Sequence, residues 1–431
     1  MADPVAWSPV TLVSLVIFLS FLGAILSDRL KASYPTVIII IGLALSLLRI
    51  GGALETVPFD SSVILGFVVP PMIFEAAMRT RLRTFRTVEK TVLSLAIIGV
   101  VISALATGFV LNIVAGLPLS EALMFGVIIS PTDPVSVVSL LKRVRAPERL
   151  TALLESEAYF NNATPVMLYG IAVSLSFNPQ SLSVFAYNML GGAAIGLLVS
   201  AVAELLYRLI TEPLAETSFT IAVMFGSYAF AESLGMSGLI AVPIAGLYMG
   251  NRTMRTAMSE ETRSTMTKFW EVVTFMATSF AFLLIGLKTD FVLLITYAPF
   301  IISAFLAILV ARIVSVYPII GVAKMMREQI PRSWARVIAF SGLRGAVSIA
   351  LALSLPESGF KSAIVAMTFG VALLSLVVQA EILQFYLRSA KLTSHDLHLT
   401  AKPGPSTNDV AVVSGSQPMQ ESIRSRLGPL A

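Results

Sequence analysis

Several polar side chains interrupt one apolar stretch of a chain that is 56% hydrophobic. They are Glu155, Glu157, Asn161 and Asn162. Upstream, another apolar stretch is interrupted by Ser130-Pro131-Thr132-Asp133-Pro134. Polar and ionisable groups at the depth of a membrane are costly, and they usually mark the path of an ion. The two segments therefore predict a polar pathway through an otherwise apolar bundle.

Asp133 lies where its stretch is broken. Pro134 lacks a backbone donor, so a helix broken here exposes main-chain carbonyl oxygens, which suit hard cations. Asp133 could bind such a cation, or it could neutralise the positive end of the half-helix that follows. Alternatively, the segment is a simple proline kink in which Asp133 is hydrogen-bonded within the protein and has no role in function.

Glu157 and Asn161 share one face of their helix, and Asn162 lies about 100° around from Asn161. An isolated charge in an apolar interior would be very costly, so Glu157 needs a partner. We predict a structural ion pair between Glu157 and Arg344. Arg312 is the competing partner.

Two other acids allow more than one interpretation. Glu75 lies in Pro70-Pro71-Met72-Ile73-Phe74-Glu75-Ala76, near the end of an apolar stretch. It could belong to the ion site, or it could be an interfacial acid balanced by the arginines after it. Glu155 is nearer to a basic loop, and we expect it to be solvated at a helix end.

The composition excludes several kinds of chemistry. The chain has no cysteine, and His395 and His398 lie in its polar tail, so thiolate and histidine metal sites are not expected. We find no nucleophile elbow, phosphate-binding loop or paired metal-ligand motif. Lys and Arg lie between apolar runs, so no nucleic-acid partner is expected. We predict neither an enzyme nor a resident cofactor.

The elements that position these groups are membrane helices. Apolar runs recur that approach the ~20 residues needed to cross a bilayer, and only helices or closed barrels satisfy their backbone there. We therefore predict an all-α polytopic membrane protein with about 13 transmembrane helices. The spans are roughly 9–27, 34–49, 61–78, 91–115, 120–141, 151–175, 182–208, 217–234, 236–250, 268–287, 291–320, 337–355 and 361–386.

Charges between the spans predict the orientation. Basic residues follow the odd-numbered spans, as at Arg29, Arg79, Lys142, Arg252 and Lys324. The even-numbered exits carry few positive charges. By the positive-inside rule the N-terminus is outside and the C-terminus is cytoplasmic.

Thirteen spans also predict an inverted repeat, in which spans one to six form one half of six helices and spans eight to thirteen form the other. The interrupted span 120–141 would then correspond to span 337–355, which contains Ser341-Gly342-Leu343-Arg344-Gly345. Interruptions at matching places in two halves are typical of the binding site of a secondary transporter. Residues 387–431 are polar and rich in Ser, Pro and Gly, and they predict a flexible cytoplasmic tail.

At these residues the chain resembles the monovalent cation:proton antiporters of the NhaP and sodium/proton exchanger type. The resemblance covers most of spans three to thirteen. It rests on Phe74-Glu75-Ala76, Thr132-Asp133-Pro134-Val135, the segment from Glu157 to Asn162, Ser237-Gly238 with Gly246, Gly286-Leu287, and Gly342-Leu343-Arg344-Gly345-Ala346-Val347.

The resemblance implies a homodimer in a cell membrane that exchanges sodium or lithium for protons by alternating access. It implies a transmembrane antiporter domain at 1–386, in which two crossed unwound helices lie in a core domain. The dimerisation helices would be about 9–78 and 217–287, the core helices about 91–175 and 291–386, and the linker helix about 182–208. The ion-binding residues would be Asn162, Asn161, Asp133, Thr132 and Glu75, stiffened by Glu157 and Arg344.

This chain departs from the family pattern twice. Asn162 stands where the family has its ion-binding aspartate, and Ala158 stands where it has a serine. Asparagine offers a carbonyl oxygen but cannot titrate, so it lacks both the charge that favours a cation and the proton that couples exchange. The aspartate could have been replaced to trap one state, Glu75 or Asp133 could have taken over titration, or the chain could be an inactive relative.

Three functions therefore remain open at the level of sequence. The first is sodium/proton exchange, impaired by Asn162. The second is an uncoupled cation carrier or channel, and the third is a membrane sensor or scaffold that transports nothing. Sodium, lithium and potassium cannot be distinguished, because selectivity depends on cavity size and ligand placement.

Overall fold

The computed structural model describes residues 9–30, 32–47, 61–173, 179–210, 212–325, 328 and 330–389. Within these ranges the chain forms helices and turns, and no strand. Most of the predicted tail 387–431 lies outside the described residues, although its first three residues continue the last helix.

Sixteen helices organise the described residues. They are α1 (Pro9–Leu30), α2 (Tyr34–Leu47), α3 (Ser61–Arg79), α4 (Glu89–Ala115), α5 (Leu119–Ile128), α6 (Pro134–Arg143), α7 (Glu148–Asn161), α8 (Ala163–Val173), α9 (Pro179–Tyr207), α10 (Pro213–Ser233), α11 (Gly238–Tyr248), α12 (Glu260–Lys288), α13 (Ala298–Met325), α14 (Arg332–Phe340), α15 (Ala346–Leu353) and α16 (Lys361–Ser389). Leu82–Phe85 and Phe291–Thr296 form short additional helices, and Met249–Thr253 and Met254–Thr256 follow α11 without a gap.

Seven of the described helices are long and apolar enough to cross a membrane. They are α3, α4, α10, α12, α13, α16 and residues 183–207 of α9. Two shorter apolar helices, α2 and α5, accompany them. The multi-pass character is therefore confirmed, whereas the count of thirteen stays a prediction.

The helices pack in two groups. In the first group α2 packs on α12, while α11 packs on α3, α9 and α10. In the second group α4 packs on α5 and α13, α13 packs on α16, and α6 packs on α7. The groups meet where α3 contacts α6, α7 and α15, and where α2 contacts α16.

Two breaks interrupt the second group. Residues 129–133 separate α5 from α6, and residues 341–345 separate α14 from α15. The breaks are in contact, because the backbone N–H of Asp133 donates to the carbonyl oxygen of Leu343 at 2.8 Å. Backbone groups that leave their helices therefore find partners in the opposite break, as burial requires.

Glycines allow the closest helix contacts of the first group. A Cβ placed on Gly286 of α12 would lie 2.4 Å from the carbonyl oxygen of Ile39 in α2. Gly246 is also tightly packed, since its Cβ would lie 2.7 Å from the carbonyl oxygen of Phe74 in α3. Small residues at such contacts let membrane helices pack backbone against backbone.

The α2–α12 contact gives a first prediction. Gly286→Ala forces the two backbones apart, and we expect it to lower the free energy of unfolding by about 1–3 kcal/mol, the usual cost of overpacking. Gly226→Ala is the matched control, because no atom lies within 4 Å of its Cβ position. Thermal unfolding in detergent measures both variants. Equal melting temperatures would contradict the close contact.

Candidate ion-binding site

Asp133 lies at the first break and at the positive end of α6. Its Oδ2 accepts a hydrogen bond of 2.8 Å from the backbone N–H of Ser136. Only 4% of the residue is exposed. Gly345 lies against it, since a Cβ on that glycine would be 2.8 Å from the Cβ of Asp133. The carboxylate is thus held near the N-termini of two half-helices, α6 and α15, whose dipoles favour negative charge.

Asp133 and Asn162 line one small cavity of about 20 Å³, together with Thr132 and Gly345. That volume holds about one water-sized species. The buried Oδ1 of Asn162 has no hydrogen-bond partner within the described part of the chain. An unsatisfied buried acceptor costs about 1–3 kcal/mol. This oxygen is therefore a candidate ligand for a cation in the cavity.

Asn161 faces the same break but binds protein. Its Nδ2 donates to Thr132 Oγ1 at 2.8 Å, and its Oδ1 accepts from the backbone N–H of Thr132 at 3.3 Å. Both residues are buried. This reciprocal pair fixes the non-helical segment, which indicates that Asn161 positions the site.

The predicted pair of Glu157 with Arg344 is wrong in this structure. Glu157 pairs with Arg312 of α13, whose Nη1 lies 2.6 Å from Oε1. The same guanidinium donates from Nη2 to Glu157 Oε2 at 3.4 Å and to the carbonyl oxygen of Ile338 at 2.7 Å. Both partners are buried, so the competing partner recognised in the sequence supplies the counter-charge.

Arg344 instead contacts the first break. Its Nη1 donates to the carbonyl oxygens of Ser130, at 2.8 Å, and Pro131, at 3.1 Å. These carbonyls follow the C-terminal end of α5, where the helix dipole is negative and favours a cation. The backbone position of Arg344 in the second break brings it to these carbonyls, which explains why it does not reach Glu157.

The observed pair gives a second prediction. Removing one member of a buried ion pair strands a charge, and we expect Glu157→Gln to lower the free energy of unfolding by about 3 kcal/mol. A double-mutant cycle with Arg312→Met should give a larger coupling free energy than a cycle with Arg344→Met. Thermal unfolding in detergent measures both cycles. Equal coupling would mean that Glu157 has no preferred partner.

Glu75 lies outside the small cavity. It forms an ion pair with Arg79, which also lies 2.6 Å from Glu271. These three residues line a larger cavity of about 430 Å³. The structure therefore brings Glu75 close to the site without placing it beside Asp133.

The larger cavity leads toward the small one, since Met72 and Pro134 line both. Glu155 also lines the larger cavity and is only partly buried. From the sequence, Glu155 is expected only as a solvated residue at a helix end. Its spacing of seven from Asn162 was a usable signal, because residues seven apart lie on one helix face. The close approach of Gly345 to Asp133 carried no sequence signal of that kind.

Comparison with known proteins shows the family to which the chain is similar. A family model described as "Sodium/hydrogen exchanger, transmembrane" matches residues 16–389. The chain is 36% identical to the Na⁺/H⁺ antiporter ApNhaP of Aphanothece halophytica, over 81% of this chain and 68% of that protein. It is 30% identical to the Na⁺/H⁺ antiporter NhaH of Halobacillus aidingensis, over 82% of this chain and 91% of that protein.

A solved structure has the same fold. The sodium proton antiporter MjNhaP1 from Methanocaldococcus jannaschii at pH 8 superposes with a TM-score of 0.74. The match covers 89% of this chain and 98% of that chain, with 21% sequence identity. The helical arrangement is thus shared, while most side chains differ.

Proposed function

Because this chain belongs to the family of transmembrane sodium/hydrogen exchangers, we propose that it is a secondary transporter that exchanges sodium for protons across a membrane. The observation that carries this proposal is the pairing of one buried carboxylate with one unpartnered buried oxygen in a small cavity. Asp133 supplies the first and Asn162 the second. Membership of the family also makes it a transporter and not an enzyme.

The exchange follows from competition between sodium and a proton for the carboxylate of Asp133. When the carboxylate is ionised it attracts sodium, and when it is protonated it is neutral and releases the cation. Asn162 adds an oxygen ligand without charge. Since Asn162 cannot titrate, Asp133 is the proton carrier in this cavity. We expect slow exchange, because the cavity has one carboxylate where the resemblance implies two.

The surrounding residues hold this geometry. Asn161 fixes Thr132, and Arg344 holds the carbonyls of the first break. Glu157 and Arg312 tie α7 to α13 through a buried ion pair. Glu75 and Glu155 line the larger cavity and attract cations toward the site. Lithium is an alternative to sodium in the same cavity.

The finer architecture is part of the proposal. We place the two breaks at the crossing of two unwound helices in a core domain, within an inverted repeat of six helices and thirteen in all. The bond from Asp133 to Leu343 supports the crossing. The second group of helices is the core, the first group carries the homodimer contact, and α9 is the linker. The protein lies in the cell membrane with its N-terminus outside.

Reconstituted liposomes test the function. An outward sodium gradient should drive proton uptake, reported by a pH-sensitive dye trapped inside, and liposomes without protein are the control. Cation current without proton movement would support a channel or uncoupled carrier. No flux, together with no sodium-dependent thermal shift, would support a sensor or scaffold. Repeating the assay with lithium and potassium gives the selectivity.

A further inference from the structure

One turn of α16 departs from regular α-helix. Residues Ser375–Gln379 form a π turn, in which the backbone N–H of Ala380 reaches back to the carbonyl oxygen of Ser375. Similar π turns lie at Ile64–Val68, Leu95–Gly99 and Met249–Thr253, so rarity alone does not single this one out. None of the five residues of this π turn lines either cavity described above. Its role must therefore come from what it contacts.

The π turn holds both edges of the second break. Ser375 Oγ accepts a hydrogen bond of 3.0 Å from the backbone N–H of Arg344, just before α15. Gln379 Nε2 donates to the carbonyl oxygen of Phe340, the last residue of α14, at 2.8 Å. Ser375 and Gln379 are buried. The position of the break is thus tied to this turn.

The same turn also contacts the other group of helices. The carbonyl oxygen of Leu376 accepts a hydrogen bond of 2.8 Å from Oγ1 of Thr36, near the start of α2. Thr36 is only 6% exposed, and its hydroxyl also bonds Ser33 Oγ at 2.5 Å. Its neighbour Pro35 lines the larger cavity. The bond therefore joins the two groups beside the route to the small cavity.

We propose that the π turn Ser375–Gln379 couples the second break to α2, and that Thr36 is a positioning residue whose hydroxyl latches the observed conformation, in which Val347 of the small cavity is buried. This proposal rests on the proposed function, because alternating access requires the two groups of helices to move past each other. Such a movement must break the bond from Thr36 to Leu376. The latch then sets how often the protein leaves the observed conformation.

The expected effect of removing the latch follows from the free energy of one hydrogen bond. Losing a hydrogen bond in the observed conformation should raise the population of other conformations by about threefold to tenfold. Thr36→Val keeps the shape of the side chain and removes the hydroxyl. Thr36→Ser keeps the hydroxyl. Thr368→Val is a matched control, because among the described residues the hydroxyl of Thr368 bonds only within α16, to the carbonyl oxygen of Ile364 at 2.8 Å.

The chain has no cysteine, so a single reporter can be introduced. Val347 is 5% exposed and lines the small cavity, so Val347→Cys reacts with a small charged thiol reagent when that region opens. In this background we expect Thr36→Val to raise the labelling rate about threefold to tenfold. Thr36→Ser and Thr368→Val should leave the labelling rate within about twofold of the parent. An equal rise in Thr36→Val and Thr368→Val would overturn the latch.

A second arm tests the coupling through the turn. Ser375→Ala removes the acceptor for the Arg344 N–H. If the two contacts are coupled, the labelling rate of the double variant Thr36→Val with Ser375→Ala should rise by less than the product of the two single-variant increases. Fully independent effects would overturn the coupling. Labelling needs no transport, so failure of sodium/proton exchange with the expected labelling would reject the proposed function and leave the latch standing.

Discussion

Asp133→Asn should reduce sodium/proton exchange to the rate of liposomes without protein. Asp133 is the carboxylate that lines the small cavity, so the substitution removes both the charge that attracts sodium and the group that carries the proton. A unit charge about 4 Å from a cation contributes roughly 4 kcal/mol at an effective dielectric constant of 20. The affinity for sodium should therefore fall by about a thousandfold.

The loss must be separated from misfolding. Thermal unfolding in detergent should show a folded protein, because the amide oxygen introduced by Asp133→Asn can still accept from Ser136 at the start of α6. Glu75→Gln is the matched control, since Glu75 lines only the larger cavity. We expect Glu75→Gln to change the apparent KM for sodium while exchange persists. Persistent exchange in Asp133→Asn would place the coupling carboxylate elsewhere.

Asn162→Asp should accelerate exchange and tighten sodium binding. The amide oxygen of Asn162 is buried, without a hydrogen-bond partner in the described chain, and lines the cavity with Asp133. A carboxylate there adds charge beside the cation, although repulsion from Asp133 offsets part of the gain. We expect the apparent KM for sodium to fall by about tenfold or more, by the same Coulomb argument.

The control adds the same charge at another place. Ser139→Asp puts a carboxylate in the larger cavity, outside the small one, and its effect on KM should stay below about threefold because water screens it. The exchange rate and the apparent KM of each variant are measured from proton uptake in liposomes over a series of sodium concentrations. If Asn162→Asp changed neither rate nor KM, the cation would not contact position 162.

Local sequence predicted where the helices are interrupted and which family the chain resembles. Pro131 and Pro134, and Gly342 and Gly345, predicted interruptions, because proline and glycine act on the backbone wherever they lie. Both interruptions fall at residues where the structure has non-helical segments. The resemblance to sodium/proton exchangers was likewise carried by short motifs, and the family match confirms it.

Pairwise contacts were less predictable. The need of Glu157 for a counter-charge followed from its depth alone, but the choice between two arginines did not. The backbone of Arg312 lies in the continuous helix α13, from which its side chain reaches Glu157 of α7. The backbone of Arg344 lies in the second break, from which its side chain reaches the end of α5. The predicted repeat favoured the wrong one, since symmetry in sequence does not fix side-chain direction.

Amino-acid type by itself determined that the chain is a membrane helix bundle, that Asp133 can carry a proton and that Asn162 cannot. These properties belong to single residues or to runs of neighbours along the chain. Tertiary structure decided that Asn161 binds Thr132 while the oxygen of Asn162 stays unpartnered in the described chain, and that Thr36 meets the π turn of α16. Such contacts join residues far apart in sequence, and only the packing of the helices brings them within hydrogen-bond distance.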